Sequence, residues 1–226
     1  MWWVVAMDFQ ISHALAKILK LGHVEFEDVV VKEEDEDLTL EIVKAGFELL
    51  KRHGNKNPGD IEGVQVARDL YRAVGIDPTK VRPSSEALLR RVLKGKRLYR
   101  INTLVDAVNL CSLRTLIPYG LYDREKVEGD VQVRLGFEGE GYPGIRKERV
   151  NLYGRLTLAD GRSPFGNPSA DSERTMITEN THRALVILFV PASYPDEDLL
   201  SHMELTREKV QRYCGGRVAG EGIAKA

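Results

Sequence analysis

The sequence predicts a mixed α+β fold, and three observations carry that prediction. Strict alternation marks one strand: Val131, Val133, Leu135 and Phe137 interleave with Gln132, Arg134, Gly136 and Glu138. The continuous apolar run RALVILFV, stopped by Pro191, is long enough only for a strand buried in the middle of a sheet. Elsewhere apolar residues recur at helical spacing over longer stretches that end at glycine or proline. With 226 residues the chain can build one good core or two small ones.

Taken in order, residues 2–7 read as a short strand, and Ser12 as the cap of a helix in SHALAKILKLG that ends at Gly22. HVEFEDVVV alternates and then turns apolar, which predicts a strand. Two helices follow, LTLEIVKAGFELLKRHG and IEGVQVARDLYRAVG, separated by the turn-forming NKNPGD. PSSEALLRRVLKG makes a third, with Pro83 in its first turn and Glu86 near its positive end. Asn102 caps a fourth, TLVDAVNLCSLRTL, whose apolar residues point in almost every direction, so it belongs inside. Val150, Leu152, Gly154, Leu156 and Leu158 alternate as a strand leading to Asp160-Gly161. DEDLLSHMELTREKVQRYCGG is an amphipathic helix, and RVAGEGIAKA reads as a loose tail. The expected organisation is residues 1–80 as the N-terminal part of one compact unit, 81–195 as its core, 196–216 as a C-terminal helix and 217–226 as a flexible tail.

The fourth helix carries a polar seam. Asp106, Asn109 and Ser112 fall at i, i+3 and i+6 and form one slanting stripe. An unpartnered buried polar group costs roughly 1 to 3 kcal/mol, so something polar must face each of them. Two readings stay open: the seam satisfies backbone of neighbouring loops, or it floors a pocket for a small polar, amino-acid-like ligand, with Asn109 at its centre. The loop FGNPSADSERTMITENT, with Asn167, Ser172, Thr175 and Thr178, is either connection chemistry or the other wall of that pocket.

The third helix sets Leu88, Leu89, Val92 and Leu93 on one side and Arg90, Arg91 and Lys94 on the other. Such a run is a solvated face or, alternatively, a surface for nucleic-acid phosphates; apart from Tyr99 it lacks base-stacking aromatics. Arg82 or Arg100 can equally pair with a buried carboxylate. The net charge of −1 conceals this segregation, because residues 33–37 are all acidic. Two cysteines, Cys111 and Cys214, support neither a disulfide framework nor a zinc site, and the five histidines show no metal spacing. No metal or cofactor is therefore expected. GEGYPG matches no nucleotide fingerprint, and no stretch approaches a membrane span, so a cytoplasmic location without membrane contact is expected.

NTLVDAVNLCSLRTLIPYGLYD resembles the core motif of the B3/B4 editing domain of the bacterial phenylalanyl-tRNA synthetase β-subunit, in which N-x-L-V-D-x-x-N leads to P-x-H-x-F-D. It is still more similar to free-standing proteins built on that domain. The shared motifs are residues 82–91, Lys94 with Gly95, residues 101–109, residues 118–123, Gly129 with Asp130, and SERTMITENT at 172–181; together they span roughly residues 80 to 190.

The resemblance implies a β-sheet core packed by helices, and the activity of removing wrongly attached tyrosine from phenylalanine tRNA by hydrolysing the aminoacyl ester. It puts Asn109 at the place of an editing-pocket asparagine and Asp106, Pro118 and Asp123 at motif positions of architectural character. Two positions depart. Gly120 stands where the motif has histidine, and Ile187 where the late apolar strand has glutamate. The expectation is a lone editing domain, not a complete synthetase, that recognises the aminoacylated end of a tRNA and hydrolyses the ester in trans; the alternative is a non-catalytic module for an amino-acid-like ligand or RNA. Asp106, Asn109, Ser112, Asn167, Ser172, Thr175 and Thr178 are the expected substrate contacts, Arg90, Arg91 and Lys94 the expected RNA contacts, and no catalytic side chain is assigned.

Overall fold

The computed structural model describes residues 7–226, so the strand expected over residues 2–7 lies, Met7 excepted, outside the described residues. A short β1 (Phe9–Ile11) is followed by one 3-10 turn and by β2 (Leu19–Glu27). The helix expected from Ser12 to Gly22 does not form. Leu19 and Leu21 are buried beneath a sheet, and β2 pairs on both sides, so tertiary pairing overrides the local helical pattern.

Four helices come next: α1 (Glu36–His53), α2 (Glu62–Ala73), α3 (Ser84–Leu93) and α4 (Thr103–Thr115). Asp35 caps α1 by accepting from the Leu38 N–H at 2.9 Å, and Asn102 caps α4 by accepting from the Val105 N–H at 2.9 Å. The strand-rich half holds β3 (Tyr119–Asp123), β4 (Val131–Leu135), β5 (Gly141–Gly144), β6 (Lys147–Asn151), β7 (Leu156–Ala159), β8 (Pro164–Gly166) and β9 (Ala184–Pro191), and ends with α5 (Asp196–Cys214) and β10 (Arg217–Ala224).

The central sheet is antiparallel, in the order β10-β2-β9-β3. Both faces are covered, which is why β9 is apolar throughout. Ala184, Val186, Leu188 and Val190 join α1, α3, α4 and α5 in one core. Leu185, Ile187 and Phe189 join the second sheet, β1-β4-β7-β8, in another. β5 and β6 form a separate hairpin.

Three further expectations are corrected. Residues 150–158 are not one strand: β6 and β7 belong to different sheets, and Gly154 turns the chain between them at φ 66°. Phe137 lies beyond the end of β4, exposed, with the Arg134 guanidinium 4.2 Å from its ring centroid. The tail is not loose, because β10 pairs with β2 from Arg217 opposite Glu27 to Ala224 opposite Leu21. An otherwise open edge of the sheet is thereby covered.

Candidate functional site

Among the described residues β3 ends the central sheet, and one of its edges has no strand partner there. Along that side a cleft of about 620 Å³ opens between α3 and α4 on one wall and the loop after β8 on the other. Leu88, Val105, Val108, Leu121 and Ile177 make it largely apolar, and Ile101 and Ile145 stand exposed at its rim. Its polar lining comes from Ser84, Asn109, Ser112, Ser169, Asp171 and Glu173, with Arg146 at the β5–β6 turn. A few polar groups converging in a greasy cavity are what a small-ligand site requires. A second cavity of about 230 Å³, between α1 and residues 95–100, is lined mainly by aliphatic groups and lacks such convergence.

The three members of the α4 seam have three different fates. Ser112 lines the cleft, but its hydroxyl donates to the Ile117 carbonyl at 2.7 Å and so closes the end of the helix. Asn109 is half-buried in the cleft wall. Asp106 does not reach the cleft. It accepts from the Ile101 N–H at 3.2 Å and lies 3.4 Å from the Arg100 guanidinium, bracing the link between α3 and α4. Burial pushes its carboxyl up to about 6, against the pull of the Ile101 N–H and Arg100. Its expected ligand contact is therefore replaced by a structural one, as the possible pairing of Arg100 with a buried acid anticipates.

On the opposite wall the loop approaches the cleft through residues other than those expected. The Asn167 side chain, 2% exposed, accepts from the Ser169 and Ala170 N–H groups at 2.8 and 3.0 Å and donates to the Tyr142 hydroxyl at 2.8 Å. Ser172 accepts from the Arg174 N–H at 3.1 Å, and Thr175 donates to the Phe165 carbonyl at 3.4 Å. The Thr178 N–H donates to Thr181, whose hydroxyl donates to Asp123 at 2.9 Å. None of the four side chains lines the cleft. The reason is the loop's own need: backbone outside a ladder must find partners, and short polar side chains supply them.

Asp171 is the loop residue that sequence reasoning missed. It lines the cleft and accepts from the Tyr122 hydroxyl at 2.8 Å. Burial pushes its carboxyl up to about 7, although Tyr122 pulls it down. One signal was available: a tyrosine inside a fully buried strand must find an acceptor somewhere. The Tyr122 hydroxyl also sits where side chains at Gly120 and Gly166 would begin, so a Cβ at either position would overlap it. In the strand register Gly120 faces Ile187, which places the two departures from the motif directly opposite each other.

The cations of α3 divide as well. Glu86 is fully buried, receives two bonds from Arg68 at 2.8 Å and one from Arg90 at 2.7 Å, and ties α2 to α3. Burial alone would raise this carboxyl, but the two guanidinium groups hold it below its ordinary value. Arg90 is thus engaged in the interior. Arg91 instead lies over Tyr99, 3.6 Å from the ring centroid, and Lys94 is exposed. By helical spacing Arg91 and Lys94 continue the ridge that Ser84, Ala87 and Leu88 begin inside the cleft. Exposed Lys96 and Arg97 extend it. Among the described residues no helix is long and apolar enough to cross a membrane, and no cluster of His, Cys, Asp or Glu could hold a metal ion.

The family model described as the B3/4 domain matches residues 66–194, more than half of the chain and including most of α2, which the motifs alone did not reach. Among solved structures, the chain is similar in fold to an N-terminal fragment of the phenylalanyl-tRNA synthetase β-subunit from Pyrococcus horikoshii, with a TM-score of 0.51 and 12% identity. That likeness covers 98% of this chain but 55% of the fragment, so the chain spans little more than half its length. No curated protein matches the sequence.

Proposed function

Because the chain belongs to the B3/4 domain family, we propose that the cleft beside β3 receives the aminoacylated 3′ end of a tRNA and that the protein hydrolyses the ester in trans. The observation that carries this reading is the position of Asn109. It is half-buried in the wall of a cavity of about 620 Å³, at the motif position where the resemblance puts an editing-pocket asparagine. That volume suits an amino-acid side chain together with the terminal ribose. The mostly apolar wall fits a hydrophobic side chain, and the Asn109 amide offers both a donor and an acceptor to the aminoacyl group.

The nucleic-acid part of the reading rests on the ridge of α3. Arg91 and Lys94, with Lys96 and Arg97 beyond them, lead away from the cleft mouth and are placed to follow phosphates. Arg90 adds less, since Glu86 already neutralises it. Tyr99, exposed beneath Arg91, offers a face on which a terminal base can stack.

A second reading, a binding module without turnover, is favoured by one observation: Gly120 and Ile187 supply neither the histidine nor the glutamate of the motif. The test uses a panel of tRNAs carrying cognate and non-cognate amino acids. Release of amino acid above the protein-free rate, reduced roughly five- to thirtyfold in Asn109→Ala, is expected, since a lost hydrogen bond to substrate is worth on the order of 1 to 2 kcal/mol. Saturable binding of a non-hydrolysable aminoacyl amide without release supports the module; neither binding nor release overturns both readings. Replacing Arg91 and Lys94 by Glu should abolish tRNA binding at low salt, and unchanged affinity would remove the ridge from the account.

A further inference from the structure

We propose that Asp171, oriented by Tyr122, is the general base that activates water for hydrolysis of an ester held in the cleft, an assignment that rests on the reading of the cleft as an aminoacyl-ester site. Four observations support it. Asp171 lies in the cleft wall, on the loop that faces Asn109 across the cavity. Its carboxylate is fixed by the Tyr122 hydroxyl at 2.8 Å, and Tyr122 is itself wedged against Gly120 and Gly166, where no larger residue fits. A carboxylate accepts at about four sites. Tyr122 and the nearby Leu121 and Asn167 backbone groups occupy at most three of them, which leaves one for water.

The second observation is one of position. The Tyr122 hydroxyl fills the space in which a side chain at residue 120 would start, and it hands its proton toward Asp171. The phenol hydroxyl of the pair thus stands where the motif's polar side chain is missing, with Asp171 as its acceptor.

Third, satisfying a buried phenol does not require a carboxylate. A backbone carbonyl or an asparagine accepts the same hydrogen bond without placing an ionisable group out of water, so the acid is an expensive choice for a purely structural task. Fourth, burial raises Asp171 to about 7, so both of its forms are populated near neutrality, the condition under which a general base works best. Of the groups facing it, Tyr122 and Tyr142 are driven above the ordinary phenol range by burial and stay neutral, whereas Arg146 and Glu173 stand exposed at the rim.

The step balances without a further reagent. Ionised Asp171 takes a proton from water as the water oxygen bonds to the ester carbonyl carbon, and the carbonyl electrons move onto oxygen. Collapse of that intermediate breaks the bond between the carbonyl carbon and the ribose oxygen. The proton on Asp171 passes to the leaving oxygen, giving a free amino acid, a tRNA hydroxyl and the original carboxylate.

The experiment compares the whole 226-residue chain with its Asp171→Asn and Tyr122→Phe variants, measuring hydrolysis of the tRNA panel and binding of a 3′-amide-linked aminoacyl adenosine. Asp171→Asn keeps the acceptor for Tyr122, so it should bind the amide within about threefold of wild type while hydrolysing at least about 100-fold more slowly. Tyr122→Phe removes a bond that stabilises the ionised acid, so the rising limb of the pH–rate profile should move to higher pH. Hydrolysis by Asp171→Asn within threefold of wild type, or amide binding by wild type with no turnover, overturns the assignment of Asp171 but leaves the ligand site standing. Failure of wild type to bind the amide overturns both. Should Asp171→Asn lose amide binding through misfolding, the Tyr122→Phe profile decides: an unmoved limb refutes the pair.

Discussion

The two walls of the cleft are built on opposite principles. The helical wall contains few polar groups, and its backbone is already satisfied within α3 and α4, so a polar side chain there can be turned outward, as Asn109 is. The loop wall is crowded with polar residues, yet the side chains of Asn167, Ser172, Thr175 and Thr181 are consumed in holding the loop in place. Polar density is therefore a poor guide to ligand contact. A side chain is available to a ligand only when neighbouring groups leave part of its hydrogen-bonding capacity unused.

Substitutions test this contrast. The largest effect belongs to the loop: Asn167→Ala removes three hydrogen bonds from a buried site and should cost about 3 kcal/mol in urea unfolding, with ligand binding lost as the wall collapses. A variant as stable as wild type would show that the loop is held some other way. Next comes Asp106. Its folded carboxyl, raised to about 6, keeps its proton where the unfolded chain, near 3.8, has lost it. Wild-type stability should therefore fall by on the order of 2 kcal/mol as pH rises from about 4 to about 7. Asp106→Asn, which still accepts from Ile101, should remove this component of the pH dependence, and identical slopes for the two proteins would contradict the assignment.

Smaller again is Ser112→Ala, which frees the Ile117 carbonyl and should lower stability by about 1 kcal/mol. Smallest is Asn109→Ala, expected within about 0.5 kcal/mol of wild type by thermal unfolding despite its large effect on ligand binding. A strong destabilisation there would place Asn109 among the structural members of the seam and erase the contrast.

Motif order marked out most of the domain, but it stopped short of α2, whose link to α3 runs through Glu86 and Arg68. Glu86 reads in the sequence as a residue placed for the helix dipole; its burial between two arginines depends on a helix 18 residues away in the chain. Asp171 was hidden for the same reason, since its partner Tyr122 is 49 residues distant and belongs to a strand whose both faces are buried.

What depends on near neighbours along the chain was legible in the sequence: the Asn102 cap, the interior position of α4, the double burial of β9 and the ridge of cations on α3. Which polar group meets open space and which meets protein depends on the packed fold. That choice, between Asn109 and Asp106, between Asp171 and Asn167, and between strand and tail at β10, is settled by partners that arrive from elsewhere in the chain. Periodicity reports which face a residue is on, but hydrogen-bond supply and demand across the packed interface determine what that face touches.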